Sequence, residues 1–394
     1  MKRSIGCVLF FIFLLASCSQ RNQTCTKESC KEQQHTEWAR EKQLFTEQHI
    51  PQEEKPFQVD ASQRETSETL ESTPTREAPN MPEVPDTPKA PDETPKSCKR
   101  AEDCDQKKSL CLFGMCIKKS SDSSFQTASF QHTQTGQKIP YQFFVPSKHA
   151  GQNKYPLMVA LHGLEYFASP KEQFLKYPIT GYMALGWMEH RIQSTFPMYV
   201  LAPHLHKELK KIKSYSNWQT PESVDFIKKL IQHFISNQKD IDTNRIYLTG
   251  HSMGGAGTWS VGAELKDVFA ALIPLSSAIN STTLQTIQQK INSGTFDNIP
   301  IWKFIHRSDD GSKNARKLFS LLSQRGISPL YTHTFGTQSF DLTQAQITKH
   351  IESGKKHLYT EYSDPCTTGL CHFAMHKALR EPLLLKWLIK QKKR

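Results

Sequence analysis

Asn244–Trp259 reads NRIYLTGHSMGGAGTW, and the order of residue types in this stretch decides how the rest of the chain is read. Ile246, Tyr247 and Leu248 form a short β-branched and aromatic run that ends at Gly250, and the small and apolar residues after Ser252 take up a helical spacing. Ser252 therefore stands at a bend from strand to helix. Gly250-His251-Ser252-Met253-Gly254 is a G-x-S-x-G pattern, in which small residues flank the serine because strand and helix pack too closely there for larger side chains. Such a bend exposes the serine hydroxyl and places the amide of Met253 at a helix N-terminus, where an oxyanion can be bound. The pentapeptide alone is a weak signal, since an ordinary glycine-rich turn also satisfies it. The strand before, the helix after and the additional Gly255 and Gly257 strengthen it.

Outward from this bend, the composition is globular from Phe125 to the C-terminus, a length that fits one α/β domain over residues 125–394. Strand-like runs fall at residues 129–132, 139–145, 157–161, 198–201, 245–249, 270–275, 301–305 and 357–362. Amphipathic helical patterns separate several of them, clearest over 221–237, where Val224, Ile227, Leu230, Ile231 and Phe234 share a face behind Pro221. This alternation predicts a mostly parallel sheet with helices on both faces, whose ligands sit beyond the carboxyl ends of the strands. Ser252 lies at such an end.

A serine nucleophile needs a base for its proton, a carboxylate to hold that base, and amides to accept the charge that develops on a carbonyl oxygen. Upstream, His162-Gly163 follows a buried strand, and the next amide, that of Leu164, is the expected partner of Met253 in binding the oxyanion; His162 itself reads as structural. Downstream, IPIWKFIHRSDDG is a strand followed by His306 and two acids. Asp310 is taken as the acid, with Asp309 as its alternative and a surface turn for whichever is unused. Near the end, His372 follows Cys371 and precedes an amphipathic helix. It is the expected base in preference to His376, which lies a turn further into that helix, and a Cys366–Cys371 disulfide would stiffen its loop. The mechanism read here calls for no cofactor and no metal.

Residues from about 138 to 391 resemble the secreted esterase branch of the α/β-hydrolase superfamily, near polyhydroxybutyrate depolymerases, feruloyl esterase-like proteins and those labelled carboxylesterase-like or predicted peptidases. The resemblance is carried by residues 156–163, 200–203, 242–259, 269–276, 300–310 and the tail, where His372, Pro382, Trp387 and Leu388 keep the spacing of the family. It implies an α/β-hydrolase fold and a Ser252–His372–Asp310 triad, the acid counted four residues beyond His306. Two departures stand out: Arg307 replaces the glycine usual after that histidine, and Gly311-Ser312-Lys313 replaces a Val-Pro element. An extra segment over 336–355 and a candidate lid over 165–195 would shape the substrate pocket.

The first part of the chain is of another kind. Lys2 and Arg3 precede an apolar run from Ile5 to Ala16, which reads as a secretory signal, too short for a mature membrane span. The run closes on Leu15-Ala16-Ser17-Cys18, which resembles a bacterial lipobox, and the resemblance implies lipidation of Cys18 and an envelope-anchored protein, a plain signal with free secretion being the alternative. Ser19 in the next position favours sorting to the outer membrane where the host has one. Residues 19–97 are rich in Glu, Thr and Pro and are expected to be a disordered tether. Over 98–119, Cys98, Cys104, Cys111 and Cys116 predict a small disulfide knot whose pairing is open, zinc being the rival reading. Setting aside Cys7 and Cys18, the remaining cysteines, which include Cys25 and Cys30, are even in number, as an oxidising compartment favours.

The net charge of +12 suits anionic surfaces, though solvated lysines explain it as well, and no basic-aromatic pattern calls for nucleic acid. Three functions are thus in competition: hydrolysis of carboxylic esters, with aryl, lipid, polyester and carbohydrate esters all admissible; a peptidase of the same fold; and a surface module that binds without turnover. The expected partners are an ester substrate and, through the lipid, a membrane.

Overall fold

The computed structural model describes residues 109–112, 115–118, 126–132, 136–147, 154–164, 181–205, 217–366 and 370–393, with the backbone alone for 109–112, 115–118, 181–183 and 370. The chain divides into two units, residues 1–83 and 84–394, and all described residues belong to the second. The lipobox Cys18, the tether, Cys25, Cys30, Cys98 and Cys104 lie outside the described residues. Of the four-cysteine segment, strands β1 (Ser109–Leu112) and β2 (Met115–Lys118) form an antiparallel hairpin in which Cys111 and Cys116 are register partners.

The remaining strands are β3 (Gln126–Gln131), β4 (Lys138–Phe144), β5 (Tyr155–Leu161), β6 (Tyr199–Pro203), β7 (Ile241–His251), β8 (Ala271–Leu275), β9 (Ile301–His306), β10 (Leu330–Phe335), β11 (Gln338–Phe340) and β12 (His357–Tyr362). They make a 10-stranded sheet in the order β11-β10-β12-β9-β8-β7-β5-β6-β4-β3. From β10 across to β6 the neighbours run parallel, while β3, β4 and β11 are antiparallel edges. This is the mostly parallel α/β-hydrolase sheet that the alternation and the resemblance led one to expect.

The central strands are apolar on both sides because helices cover both faces. One face takes Leu157, Val159, Leu248, Leu272, Ile301 and Ile305 and packs them against α3 (Pro221–Asn237), α4 (Met253–Glu264), α5 (Ser281–Asn292) and α6 (Ser312–Gln324). The other takes Met158, Ala160, Tyr247, Ile273, Trp302 and Phe304 and packs them against α1 (Gly181–Trp187), α2 (His190–Thr195), α7 (Gln344–Glu352), α8 (Met375–Ala378) and α9 (Leu384–Ile389). Helix α3 has the bounds that its pattern predicted, with Thr220 as N-cap accepting from the amide of Ser223 and Pro221 in the first turn.

Strand β10 was not expected. Its sequence, LYTHTF, shows no apolar alternation, because what it buries is polar: Thr332 bonds Thr360 at 2.6 Å between hydroxyls, and Thr334 donates to the carbonyl of Glu361 at 2.8 Å. The extra segment over 336–355 forms β11 and α7 and widens the sheet at this edge. Among the described residues no helix is long and apolar enough to cross a membrane.

Candidate active site

Strand β7 sits in the middle of the sheet, between β5 and β8, and delivers Ser252 to its carboxyl rim. Ser252 has φ 57° and ψ −116°, a conformation that costs a side-chain-bearing residue about 1–3 kcal/mol and persists only where neighbours hold it. The holding is done by main chain. A Cβ on Gly250 would lie 2.2 Å from the carbonyl oxygen of Gly254, and a Cβ on Gly254 would lie 2.1 Å from that of Leu161, so both flanking positions must be glycine. The Ser252 amide donates to Leu275 at 3.1 Å, and its carbonyl accepts from Ala256 and Ala278, both at 3.0 Å. The bend is thereby tied to α4 and to the segment after β8.

Helix α4 begins at Met253, whose amide, as the first of the helix, has no acceptor within it. The contact of Gly254 with Leu161 also brings the elbow against the segment after β5, since the same Cβ would be 2.8 Å from the carbonyl oxygen of His162. Leu164 follows and is 56% exposed. His162 is buried and structural. Its Nδ1 donates to the Gly163 carbonyl at 2.7 Å, its Nε2 accepts from the Leu205 amide at 3.0 Å, and Trp218 Nε1 donates to its carbonyl at 2.9 Å.

His372 lies on a 3₁₀ turn, Leu370–Phe373, between β12 and α8. Its Nδ1 is 2.9 Å from Oδ2 of Asp309. The acid that meets the histidine is thus Asp309 and not the expected Asp310. The reason is the turn after β9: the Asp309 amide donates to the His306 carbonyl at 2.9 Å, closing the loop three residues beyond the strand. That leaves Asp309 buried and Asp310 exposed. The four-residue count belongs to a loop with glycine after the histidine, which Arg307 replaces here. Asp309 Oδ1 also accepts from the amide of Gly311 at 2.8 Å. Burial alone would raise this carboxyl, but the bond and charge of His372, the Gly311 N–H and the charge of Lys303 outweigh it and hold Asp309 below the ordinary carboxylate range.

His376, the rejected alternative, turns its Nδ1 to the carbonyl of Phe373. No hydrogen bond joins Ser252 Oγ to His372 among the described residues, and such bonds are often loose before substrate binds. The elbow is tied to the loop of His372 by His251, between Gly250 and Ser252. Its Nε2 donates to the His372 carbonyl at 2.8 Å, its ring lies 4.8 Å from that of His372, and it stacks on Phe373 at 5.4 Å. Sequence reading passed over His251, treating it as the free position of the motif.

The expected Cys366–Cys371 disulfide is formed, with Cα atoms 5.4 Å apart, and it fastens the residue before His372. Cys366 Sγ lies 3.5 Å from Nδ1 of His306, whose Nε2 donates to the Asp364 carbonyl at 2.8 Å. His306, Cys366 and Cys371 bring ligand atoms within 4.8 Å of one another, yet sulfurs bonded to each other offer no thiolate to a metal.

A comparison with protein families matches residues 132–328, half of the chain, to the family described as Esterase. Poly(3-hydroxyalkanoate) depolymerase C of Paucimonas lemoignei is 30% identical over 128 residues, which are 31% of this chain and 27% of that one. Among solved structures, a thermostable esterase is 27% identical at a TM-score of 0.49, over 68% of this chain and 63% of its own. An S-formylglutathione hydrolase from Staphylococcus aureus is 12% identical at a TM-score of 0.45, over 70% of this chain and 99% of its own. The chain therefore spans about a quarter of the depolymerase and under two thirds of the thermostable esterase.

Proposed function

We propose, from the premise that this chain belongs to the Esterase family, that it hydrolyses carboxylic esters through an acyl-enzyme formed on Ser252. The observation that carries this reading is the 2.9 Å bond between His372 Nδ1 and buried Asp309, at the sheet rim where the glycine-braced bend presents Ser252. In this mechanism Nε2 of His372 takes the hydroxyl proton as Ser252 Oγ attacks the ester carbonyl. Asp309 fixes the imidazole by its Nδ1 and stabilises the imidazolium that forms. The amides of Met253 and Leu164 receive the oxyanion, each such donor being worth about 3 kcal/mol of transition-state stabilisation. His372 then returns the proton to the departing alcohol, and water, activated by the same imidazole, frees the acid.

The likeness to a depolymerase of poly(3-hydroxyalkanoate) supports short hydroxyalkanoate oligoesters as the first substrates to try, beside aryl and lipid esters. The leader and Cys18 support lipid anchoring outside the cytoplasm, and the Cys366–Cys371 disulfide fits an oxidising space. Loss of labelled palmitate on Cys18→Ala would be the check.

The test of the activity is hydrolysis of short p-nitrophenyl esters together with labelling by a fluorophosphonate. Wild-type protein should show both and Ser252→Ala neither. Folded protein that hydrolyses no ester and takes no label would leave a binding module as the better reading, and cleavage of acyl-peptides over esters would favour the peptidase.

A further inference from the structure

Strand β9 alternates Ile301, Lys303 and Ile305 on the face that packs against α4 and α6, so Lys303 has apolar neighbours on either side along the strand. Its exposure is 0%, a position that lysine almost never takes unless something holds its amine. Nζ lies 3.1 Å from Oγ of Ser277, and among the described residues it makes no ion pair within 4 Å. A buried amine with three donors and a neutral hydroxyl as partner is a costly arrangement, and hydrophobic packing alone would select Leu or Met here.

What Ser277 touches gives the amine its use. The Ser277 carbonyl oxygen would be 2.5 Å from a Cβ on Gly311, and its Oγ 2.9 Å from a Cβ on Gly255 of α4. Gly311 in turn donates its amide to Asp309. Ser277 is thus wedged between the helix that follows the nucleophile and the turn that carries the acid, and Lys303 holds it from below. The charge acting on Lys303 is that of Asp309, and the two favour one another's ionised forms. The other charged groups on this face, Glu361 of β12 and Arg316 of α6, are joined to each other, with Arg316 Nη1 3.0 Å from both carboxylate oxygens. Tyr359, the register partner of Lys303 on β12, gives its hydroxyl to the same Glu361 at 2.7 Å.

We propose that Lys303 is a positioning residue for ester hydrolysis: from beneath the sheet rim its amine holds Ser277 and, through Ser277, the Asp309–Gly311 turn that orients His372. The inference rests on the assignment of Ser252, His372 and Asp309 given above. It goes beyond it by naming a residue that touches no substrate yet sets the acid.

The test compares wild type with Lys303→Met, which keeps length without charge, Lys303→Gln, which keeps a donor for Ser277 without charge, and Ser277→Ala, which keeps the charge without the tie. For each, kcat and KM on a p-nitrophenyl ester are measured separately. Lys303→Met should show kcat reduced roughly tenfold or more with KM within about twofold, and Lys303→Gln, which keeps the tie to Ser277, should recover part of that loss. Ser277→Ala should lower kcat with KM likewise nearly constant. A wild-type kcat in whichever Lys303 variant folds would overturn the proposal, as would a loss confined to thermal stability. If Ser252→Ala and Asp309→Asn were also active, the underlying assignment would fail first; if both are dead and the Lys303 variants are normal, only the role of Lys303 falls.

Discussion

The elbow and the acid–base loops meet at the same rim but are held by different means. Around Ser252, main chain packs on main chain, and Gly250 and Gly254 stand where any Cβ would fall within 2.2 Å of a carbonyl oxygen. Around Asp309 and His372, 63 residues apart, closure is made by a carboxylate, an imidazole, a disulfide and a buried lysine. Backbone contact of the first kind fixes the residue spacing. Side-chain closure of the second kind lets a loop gain or lose a residue, provided that some side chain still arrives. The difference teaches where a motif count is safe and where it is not.

The sharpest way to break this contrast is to exchange the two acids. Asp309→Asn should cut kcat about 10³- to 10⁴-fold, because an amide at this position leaves the imidazole in the wrong tautomer for a base. Asp310→Asn should stay within about threefold, since Asp310 is exposed. Steady-state kinetics on a p-nitrophenyl ester decides between them. The reverse ranking would mean that the turn after β9 reopens when substrate binds, and that the count from His306 was right.

The contrast also predicts where pH acts on stability. Burial pushes Lys303 down to about 7 from the ordinary 10.5, against the opposing charge of Asp309. Between those two values the unfolded chain binds the proton that the folded chain refuses, so folding stability gains with rising pH over this window and is lost as pH falls through 7. The shift corresponds to roughly 4–5 kcal/mol. Lys303→Met should therefore unfold at higher denaturant than wild type at pH 6, and the gap should narrow steadily towards pH 10. A gap independent of pH would show that the amine is charged throughout. The elbow holds no comparable buried cation, and substitutions there should leave this slope alone.

What the sequence showed follows the same division. The strand before Ser252, the small residues around it and helix α3 were legible because each is written in neighbouring residues: a β-branched run, a glycine pair, and an apolar face behind Pro221. His372 was found from its place before a terminal helix and from its spacing to Pro382 and Trp387. Asp310 was preferred over its alternative Asp309, which is the one that meets His372, because the turn after His306 is closed by a backbone bond that Arg307 and Ser308 do not announce. Strand β10 escaped because its fully buried positions are threonines held by hydroxyl and carbonyl bonds, while its apolar Leu330, Tyr331 and Phe335 are only partly buried. Lys303 was not singled out, since nothing local in the sequence says that Ser277 and Asp309 fold over it.

A smaller effect is expected at the staple. Cys366 and Cys371 close a loop of sequence separation 5, for which chain entropy gives about 2 kcal/mol. Cys366→Ser with Cys371→Ser should lower stability by about that amount in a urea titration. It should also lower kcat more than it raises KM, because the freedom gained falls on His372. The same double variant should leave the rate of fluorophosphonate labelling per competent His372 unchanged, since the elbow does not depend on the disulfide. Equal loss of elbow rigidity, seen as faster amide exchange at Ser252 and Met253, would show that the two regions are not built independently.

The smallest effect tests the bond that joins them. His251 belongs to the elbow by sequence and to the base by contact, its Nε2 donating to the His372 carbonyl at 2.8 Å while its ring stacks on Phe373. His251→Phe keeps an aromatic ring there and removes the donor, at a cost of about 1 kcal/mol for a lost hydrogen bond. Since that bond restrains the loop of the base and not the substrate, the loss should appear as roughly fivefold in kcat with KM nearly constant. His251→Gln, which offers an amide donor in place of the ring nitrogen, should recover part of it. If His251→Phe is as active as wild type, then Asp309 and the disulfide alone place the imidazole. If it fails as completely as Asp309→Asn, His251 takes part in the chemistry, and the division between a backbone-built nucleophile and a side-chain-built base no longer holds.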